Sequence, residues 1–243
     1  MVKTNINVLN HLYYNNISEL TNLAGNGSQK IDYNFFFNLC SGTISNSGIK
    51  DSIVKNHSKP FIISSSNKGK DIGGKLALID LCIQLKSNAS YYIFLHDKQS
   101  PHTTLGETWK KKLFRIIEPA NINRIIELFE KNKNIGIIAA EEFIVNEYDK
   151  KNDCFTCSSN SILKELIISY SLNLNNYDFV GGGMFWIRAE IVHSFFKKYS
   201  PLDIRETLET GNVLDHEYGT KTHAWERVLS WIAIDQGYYI KGI

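Results

Sequence analysis

Up to residue 140, short β-prone runs alternate with longer amphipathic runs. This alternation is the feature that most constrains the fold. Residues 61–65 and 91–95 are short and apolar, as buried strands are, whereas apolar side chains recur at helical spacing over 109–117. This order predicts an α/β fold, an αβα sandwich with a mainly parallel central sheet. The predicted strands are 6–14, 32–40, 61–65, 91–95, 135–140 and 179–187, and the predicted helices are 17–24, 49–57, 76–85, 109–117, 122–130, 163–172, 189–199 and 223–236.

Size and charge narrow the class of protein. The 243 residues, 43% of them hydrophobic, suffice for one large domain. A net charge of +2 from well-mixed acids and bases lacks the broad positive field of a nucleic-acid binder, so we expect no nucleic-acid partner. No apolar run reaches the roughly 18 residues of a membrane span, and the first residues lack a signal-peptide pattern. We therefore expect a cytoplasmic protein, with at most peripheral membrane contact through the basic run 110–115.

A glycine-rich loop with two lysines, residues 66–74 (SNKGKDIGG), joins a predicted strand to a predicted helix. The start of a helix directs backbone N–H groups and a partial positive charge at an anion. A loop of this composition in this place is typical of a nucleotide phosphate site. It predicts a protein that handles a nucleotide or a nucleotide-sugar.

A second polar cluster, residues 96–102 (HDKQSPH), directly follows the predicted strand 91–95. In an open α/β sheet, ligands bind at the carboxyl ends of the strands, so these side chains are expected to face a crevice. Asp97 is a candidate ligand for Mn²⁺ or Mg²⁺ bridging a diphosphate, and Lys98 is a candidate for neutralising that diphosphate directly. The alternative is an ordinary turn closed by Pro101.

Three glycines precede an apolar pair in Gly181-Gly182-Gly183-Met184-Phe185-Trp186. Glycines within a strand allow another backbone or a ligand to approach closely. The aromatic pair is then a candidate flat face for a sugar ring. The alternative is a bulge followed by core aromatics, and the residues alone favour neither reading.

A third cluster, residues 215–227 (DHEYGTKTHAWER), runs from a loop into a predicted helix with Thr222 as its N-cap. His223 and Glu226 are three residues apart and therefore share one helix face. A carboxylate at the start of a helix that faces a crevice can act as a general base. The alternative for Glu226 is a solvated ion pair with Arg227.

Six short motifs in this order resemble the rhamnan synthesis F family of bacterial polysaccharide glycosyltransferases over residues 60–240. In this sequence they are N-K-G-x-D-I-G (67–73), F-L-H-x-K-x-S-P-H (94–102), Trp109, N-I-G-I-I (134–138), G-G-x-M-F-W-I-R (181–188, with Gly183 at x) and G-T-x-x-H-A-x-E-R (219–227). The resemblance implies a GT-A-like fold. It also implies inverting transfer of rhamnose or another hexose from a dTDP-, UDP- or GDP-linked donor to a surface glycan or lipid-linked glycan.

Carried across, the resemblance implies one domain, residues 1–243, with a nucleotide-sugar-binding half (1–140) and an acceptor and catalytic half (141–243). The expected donor-site residues are Asn67, Lys68, Gly69, Asp71, Gly73, His96, Lys98 and His102. The expected substrate-binding residues are Gly182, Gly183, Met184, Phe185 and Trp186. The expected catalytic residues are Asp215, Glu217, Glu226 and His223. The three carboxylates are candidate bases, ranked in falling order of their distance from the helix body. Asp97 is the expected metal ligand.

The sequence departs from the family pattern at two points. Only Asp97 is acidic where many GT-A enzymes have a metal-binding D-x-D, and Tyr218 occupies a position where the family has Asp. The degenerate acidic motif leaves open an alternative of another class, a catalytically inactive module that binds a nucleotide-sugar or glycan within a glycan-assembly complex. A nucleotidyltransferase is less favoured, because such enzymes place their glycine-rich loop near the N-terminus.

Overall fold

The computed structural model describes residues 3–14, 16–19, 23, 31–41, 47–97 and 106–243. Its strands are β1 (Thr4–Leu12), β2 (Ile31–Cys40), β3 (Phe61–Ser65), β4 (Tyr91–His96), β5 (Ile135–Ala139), β6 (Ile144–Val145), β7 (Tyr148–Asp149), β8 (Cys154–Phe155), β9 (Phe179–Val180), β10 (Phe185–Arg188) and β11 (Tyr239–Gly242). Its α-helices are α1 (Ser47–Asn56), α2 (Lys70–Gln84), α3 (Gly106–Phe114), α4 (Pro119–Lys131), α5 (Asn160–Ser169), α6 (Ala189–Phe196), α7 (Pro201–Glu206) and α8 (Lys221–Asp235). In the described ranges, 3₁₀ turns include Arg115–Ile117 and Glu141–Phe143.

The centre of the fold is a seven-stranded sheet in the order β3-β2-β1-β4-β10-β5-β11. Neighbouring strands are parallel except at β10, which runs antiparallel to both β4 and β5. Every residue of β4, β5 and β10 is buried, as expected for strands covered on both faces. The predicted α/β sandwich with a mainly parallel sheet is confirmed.

Each face of the sheet carries its own hydrophobic core. Helices α2, α5, α6 and α8 pack on one face, where the side chains of Trp225 and Trp231 are fully buried. Helices α1 and α4 pack on the other face, together with the end of α3 and the Trp186 side chain. The helices thus cover the two faces of the sheet and not the ends of its strands. In such a fold, ligands bind at the carboxyl ends of the parallel strands.

Local boundaries differ from the sequence prediction in ways that have identifiable causes. The run 179–187 is two strands rather than one, because a glycine turn with positive φ at Gly182 and Gly183 separates β9 from β10. Helix α2 starts at Lys70, inside the glycine-rich loop. Strand β11 was not predicted, since it contains only four residues, and half of the predicted helix 17–24 lies outside the described residues.

Within the described part of the chain, no helix is both long and apolar enough to cross a bilayer.

Candidate functional site

A cleft of about 330 Å³ opens where the carboxyl ends of β1 and β4 meet the start of α2. This volume is at the small end of the usual range for ligand sites, ~300–1,000 Å³. We call it the donor cleft, after the expected donor-site residues Asn67, Asp71 and His96 that line it. Its lining residues are His11, Tyr13, Tyr14, Asn67, Lys70, Asp71, His96, Asp97, Asn212 and Leu214.

Asp71 is the charged centre of the donor cleft. Its Oδ2 lies 2.5 Å from Nζ of Lys75, one helical turn later and fully buried, and 3.5 Å from Nδ1 of His96. Burial by itself raises the pKa of Asp71, but the Lys75 ammonium and the neighbouring histidines outweigh it and hold that pKa well below its usual value. Asp71 is therefore a permanent carboxylate, able to accept hydrogen bonds from ligand hydroxyls.

His11, at the end of β1, is buried beside Asp71. Asn38 Nδ2 lies 2.9 Å from His11 Nδ1; an amide nitrogen can only donate, so the proton of the neutral ring is on Nε2. That Nε2 has no hydrogen-bond partner among the described residues. Burial lowers the pKa of His11 to about 4, so the ring is neutral near pH 7 and offers one N–H donor.

The sequence analysis did not single out His11. A detectable signal exists, because Asn7, Asn10 and His11 interrupt the otherwise apolar run 6–12 of β1 and are all buried. Buried polar side chains in such a strand need partners, and those near its carboxyl end are positioned to contact a ligand.

Asp97 closes the turn after β1. Its carboxylate accepts hydrogen bonds from the backbone N–H groups of Tyr13 (2.7 Å), Tyr14 (2.6 Å) and Asn16 (3.3 Å). Burial raises the pKa of Asp97 to about 6 despite these bonds. Both carboxylate oxygens are thus engaged in holding the turn, and within the described ranges no three His, Cys, Asp or Glu side chains are grouped to hold a metal ion. The donor set among the described residues does not fit a protein-held cation, and Lys98 and His102 lie outside that set.

A clasp formed by residues 205–213 covers the outer side of the glycine-rich loop. Arg205 donates to the backbone oxygens of Ser66 (3.0 Å) and Gly73 (3.2 Å), and Gly69 N–H donates to Glu209 O at 2.7 Å. A side chain at Gly73 would put its Cβ 1.8 Å from the Lys68 carbonyl oxygen, so this position requires glycine. The loop is therefore fixed by packing from outside.

The two loop lysines, Lys68 and Lys70, differ in their contacts with the clasp and in whether they line the donor cleft. Lys68 Nζ lies 3.4 Å from Glu206 Oε2, on the clasp side, whereas Lys70 lines the cleft and donates to the Val213 carbonyl at 3.2 Å. Asn67 also lines the cleft, where Nδ2 donates to Asn212. Sequence reasoning selected Lys68 and missed Lys70, because neighbouring loop lysines cannot be told apart before their partners are known.

The glycine turn joins the donor cleft to α8. Gly182 N–H donates to Glu226 Oε1 at 2.7 Å. A Cβ built on Gly183 would lie 2.8 Å from Lys75 Nζ and 3.5 Å from Asp71 Oδ2. Burial, and then the charge of Asp71, raise the pKa of Glu226, while Arg227 and the Gly182 hydrogen bond oppose that rise. Glu226 is thus a carboxylate close to the donor cleft with enhanced basicity.

The apolar residues after the turn belong to the core, which corrects the expected sugar-binding face. Met184, Phe185 and Trp186 are each at most 1% exposed, and Trp186 Nε1 donates to the Ile116 carbonyl at 3.0 Å. They are buried because β10 lies between β4 and β5 in a sheet that is covered on both faces. The alternative reading, a glycine turn followed by core aromatics, describes these three side chains.

The other expected catalytic residues lie near the start of α8. Asp215 and Glu217 are exposed in the preceding loop, and His223 Nδ1 lies 2.5 Å from Thr220 Oγ1 and 3.9 Å from Asp215 Oδ1. Burial lowers the pKa of His223. The N-cap is Thr220 rather than Thr222, since its hydroxyl accepts from the backbone N–H of His223. This group borders the donor cleft but does not enter its lining.

Arg227 has a structural role. Its guanidinium forms two parallel hydrogen bonds to Glu147 (2.9 and 3.0 Å) and lies over the Phe179 ring at 4.7 Å. It also lies 3.3 Å from Glu226 Oε2, so the predicted Glu226–Arg227 pair exists. Because Arg227 is buried, this pair is not the solvated surface pair of the alternative reading.

Comparison with known proteins yielded a family match and matches among solved structures. The sequence profile of the family described as rhamnan synthesis protein F matches residues 1–238. No match was found among curated proteins. Among solved structures, one described as that of a mycobacterial protein aligns with 96% of this chain and 76% of its own, at 13% sequence identity and a TM-score of 0.41.

Proposed function

The chain belongs to the rhamnan synthesis protein F family, which implies a role in polysaccharide synthesis, and on that basis we propose that it is a glycosyltransferase. It transfers a hexose, with rhamnose the first candidate, from a nucleotide-sugar to a growing surface glycan. The observation that carries the proposal is the glycine turn, which brings the basic carboxylate Glu226 next to the charged centre of the donor cleft. The fold is compatible with a GT-A-type enzyme.

In this proposal the donor occupies the donor cleft. The Lys70 ammonium neutralises the diphosphate, aided by the helix N-terminus of α2. The Nε2–H of His11 donates to a base or ribose oxygen, and the Asp71 carboxylate accepts from a sugar or ribose hydroxyl. Lys98 and His102 remain candidates for further contacts to the leaving group.

Glu226 serves as the general base in a single displacement. The acceptor hydroxyl gives its proton to Glu226 while its oxygen forms a bond to the anomeric carbon. The bond from that carbon to the diphosphate oxygen breaks, and the electron pair leaves with the nucleoside diphosphate. One displacement inverts the anomeric configuration, and fixed positive charge at the leaving group stabilises the transition state. No step requires a cation.

The proposal is tested with the matched variants Glu226→Gln and Glu217→Gln. Release of nucleoside diphosphate from a panel of dTDP-, UDP- and GDP-hexoses is measured with acceptor glycans present, and donor affinity is measured by calorimetry. We expect Glu226→Gln to lower kcat by at least about 100-fold with donor affinity retained, because a general base contributes ~10²–10⁴-fold. Glu217→Gln, at an exposed position, should retain the wild-type rate.

Three outcomes contradict the proposal. Absence of both binding and turnover with every donor in the panel overturns the nucleotide-sugar site. Binding without turnover by the wild-type protein identifies the alternative, a catalytically inactive binding module. A full rate in Glu226→Gln moves the base to Asp215 or Glu217.

A further inference from the structure

A second depression lies on the other side of the glycine turn. It measures about 460 Å³, and we call it the Trp109 groove. Its lining residues are Thr108, Trp109, Lys112, Glu142, Phe143, Val145, Gly181 and Gly182. Nothing in the proposed donor chemistry uses this groove.

The floor of the Trp109 groove is an aromatic platform. The Trp109 indole is 44% exposed and stacks on the Phe143 ring, with centroids 5.8 Å apart and planes 18° from parallel. Val145 extends the apolar surface and is 41% exposed. Contiguous exposed apolar patches that are rimmed by polar residues mark sites where ligands or partners bind.

Charged groups held in place form the rim of this platform. Lys112 and Glu142 line the groove, with Lys112 Nζ 3.8 Å from Glu142 Oε1, and Arg115 Nη2, outside the lining, holds Glu142 Oε2 at 2.6 Å. The rim therefore presents both donors and acceptors next to a flat apolar floor. A saccharide has the matching chemistry, since its ring offers a C–H face for the indole and hydroxyls that both donate and accept. An acyl chain has no hydroxyls with which to hydrogen-bond to Lys112 or Glu142.

The position of the groove relative to Glu226 is the third observation. Gly182 lines the groove, and its backbone N–H bonds the Glu226 carboxylate at 2.7 Å. On the cleft side, Gly183 lies against Lys75 and Asp71. The glycine turn thus separates the donor cleft from the Trp109 groove, with the Glu226 carboxylate at the turn.

We infer that the Trp109 groove is the acceptor subsite, in which a sugar ring of the acceptor glycan stacks on Trp109 and directs a hydroxyl toward Glu226. This inference rests on the proposed function for the identity of the reaction. The binding of a saccharide on Trp109 can be tested without turnover.

The tryptophans of the chain make that test selective. The chain has four, and Trp186, Trp225 and Trp231 are each at most 1% exposed. Quenching of the intrinsic fluorescence by acrylamide therefore reports mainly Trp109. We expect a rhamnose trisaccharide, compared with glucose and galactose trisaccharides, to lower the quenching constant at least twofold. Free dTDP or UDP should leave it unchanged.

Kinetics provide the second measurement. Trp109→Ala should raise the acceptor KM at least tenfold while the donor KM changes less than twofold. Ile168→Ala removes another exposed apolar side chain, 77% exposed on α5, and is the matched control expected to change neither value. Melting temperatures establish that both variants are folded.

The outcomes separate this inference from the proposed function. If no nucleotide-sugar turns over but a trisaccharide protects Trp109, the glycosyltransferase proposal fails and the saccharide site stands. If turnover is observed, yet no trisaccharide protects Trp109 and Trp109→Ala leaves the acceptor KM unchanged, the inference alone is overturned. Protection by phosphatidylglycerol vesicles but by no saccharide also overturns it.

Discussion

The neutral state of buried His11 makes the free energy of unfolding depend on pH in a predictable way. Burial lowers its pKa from 6.5 to about 4 in the folded protein, while Asp71, Lys75 and Arg205 add smaller charge effects of mixed sign. Between these two pH values the unfolded chain binds more protons than the folded one. Stability from His11 is therefore complete above pH 6.5 and is lost as the pH falls toward 4.

The expected magnitude follows from the two pKa values. A difference from 6.5 to about 4 corresponds to about 3 kcal/mol in total, and about 2 kcal/mol of it is lost between pH 7 and pH 5. For a chain of this length, that loss lowers the melting temperature by roughly 4–8 °C. His11→Gln removes the titration and keeps an N–H donor.

The assay compares wild type with His11→Gln by urea denaturation at pH 7 and pH 5. Other groups also titrate here, and the raised pKa of Asp97 acts in the opposite direction, so the informative quantity is the difference between the two proteins. The wild type should lose about 2 kcal/mol more than the variant. Equal losses, or an NMR titration of His11 near 6.5, would refute the claim that the ring is held neutral.

Three further predictions concern the site. Gly73→Ala should lower the free energy of unfolding by about 1–3 kcal/mol, because its Cβ meets the Lys68 carbonyl; an unchanged urea midpoint would contradict this packing. Turnover should persist in EDTA; loss of activity that Mn²⁺ restores would return Asp97 to the role of metal ligand. The acid limb of kcat/KM should lie above the usual glutamate pKa, since a base must be deprotonated and the pKa of Glu226 is raised, and the same limb in Glu226→Gln would exclude this assignment.

The fold was predictable because hydrophobic periodicity is a local property of the chain. Alternating runs required crossover helices, and the parallel sheet follows from them. The antiparallel strand β10 was not predictable, because nothing within four residues specifies the direction in which a strand inserts between two others.

The candidate site was predictable only in part. The family resemblance names Asp71 and the helix pattern names Glu226, but distance from the helix body places Glu226 last among the three candidate bases. In the structure the glycine turn reaches Glu226, and the freer Asp215 and Glu217 stay exposed. Which carboxylate the glycine turn contacts depends on burial and on pairing between residues far apart in sequence. No local sequence pattern encodes these contacts.

The clasp over the glycine-rich loop has a consequence for biosynthesis. Its hydrogen bonds join residues 132–145 positions apart in sequence, among them Arg205 to Gly73 and Asn67 to Asn212. While the chain emerges from the ribosome, β1 to β4 can pair early, but the loop stays uncovered until residues 205–213 have been synthesised. A fragment ending at residue 140 would contain the loop without its clasp. The donor binding proposed above is therefore expected to appear only after residues 205–213 have been synthesised.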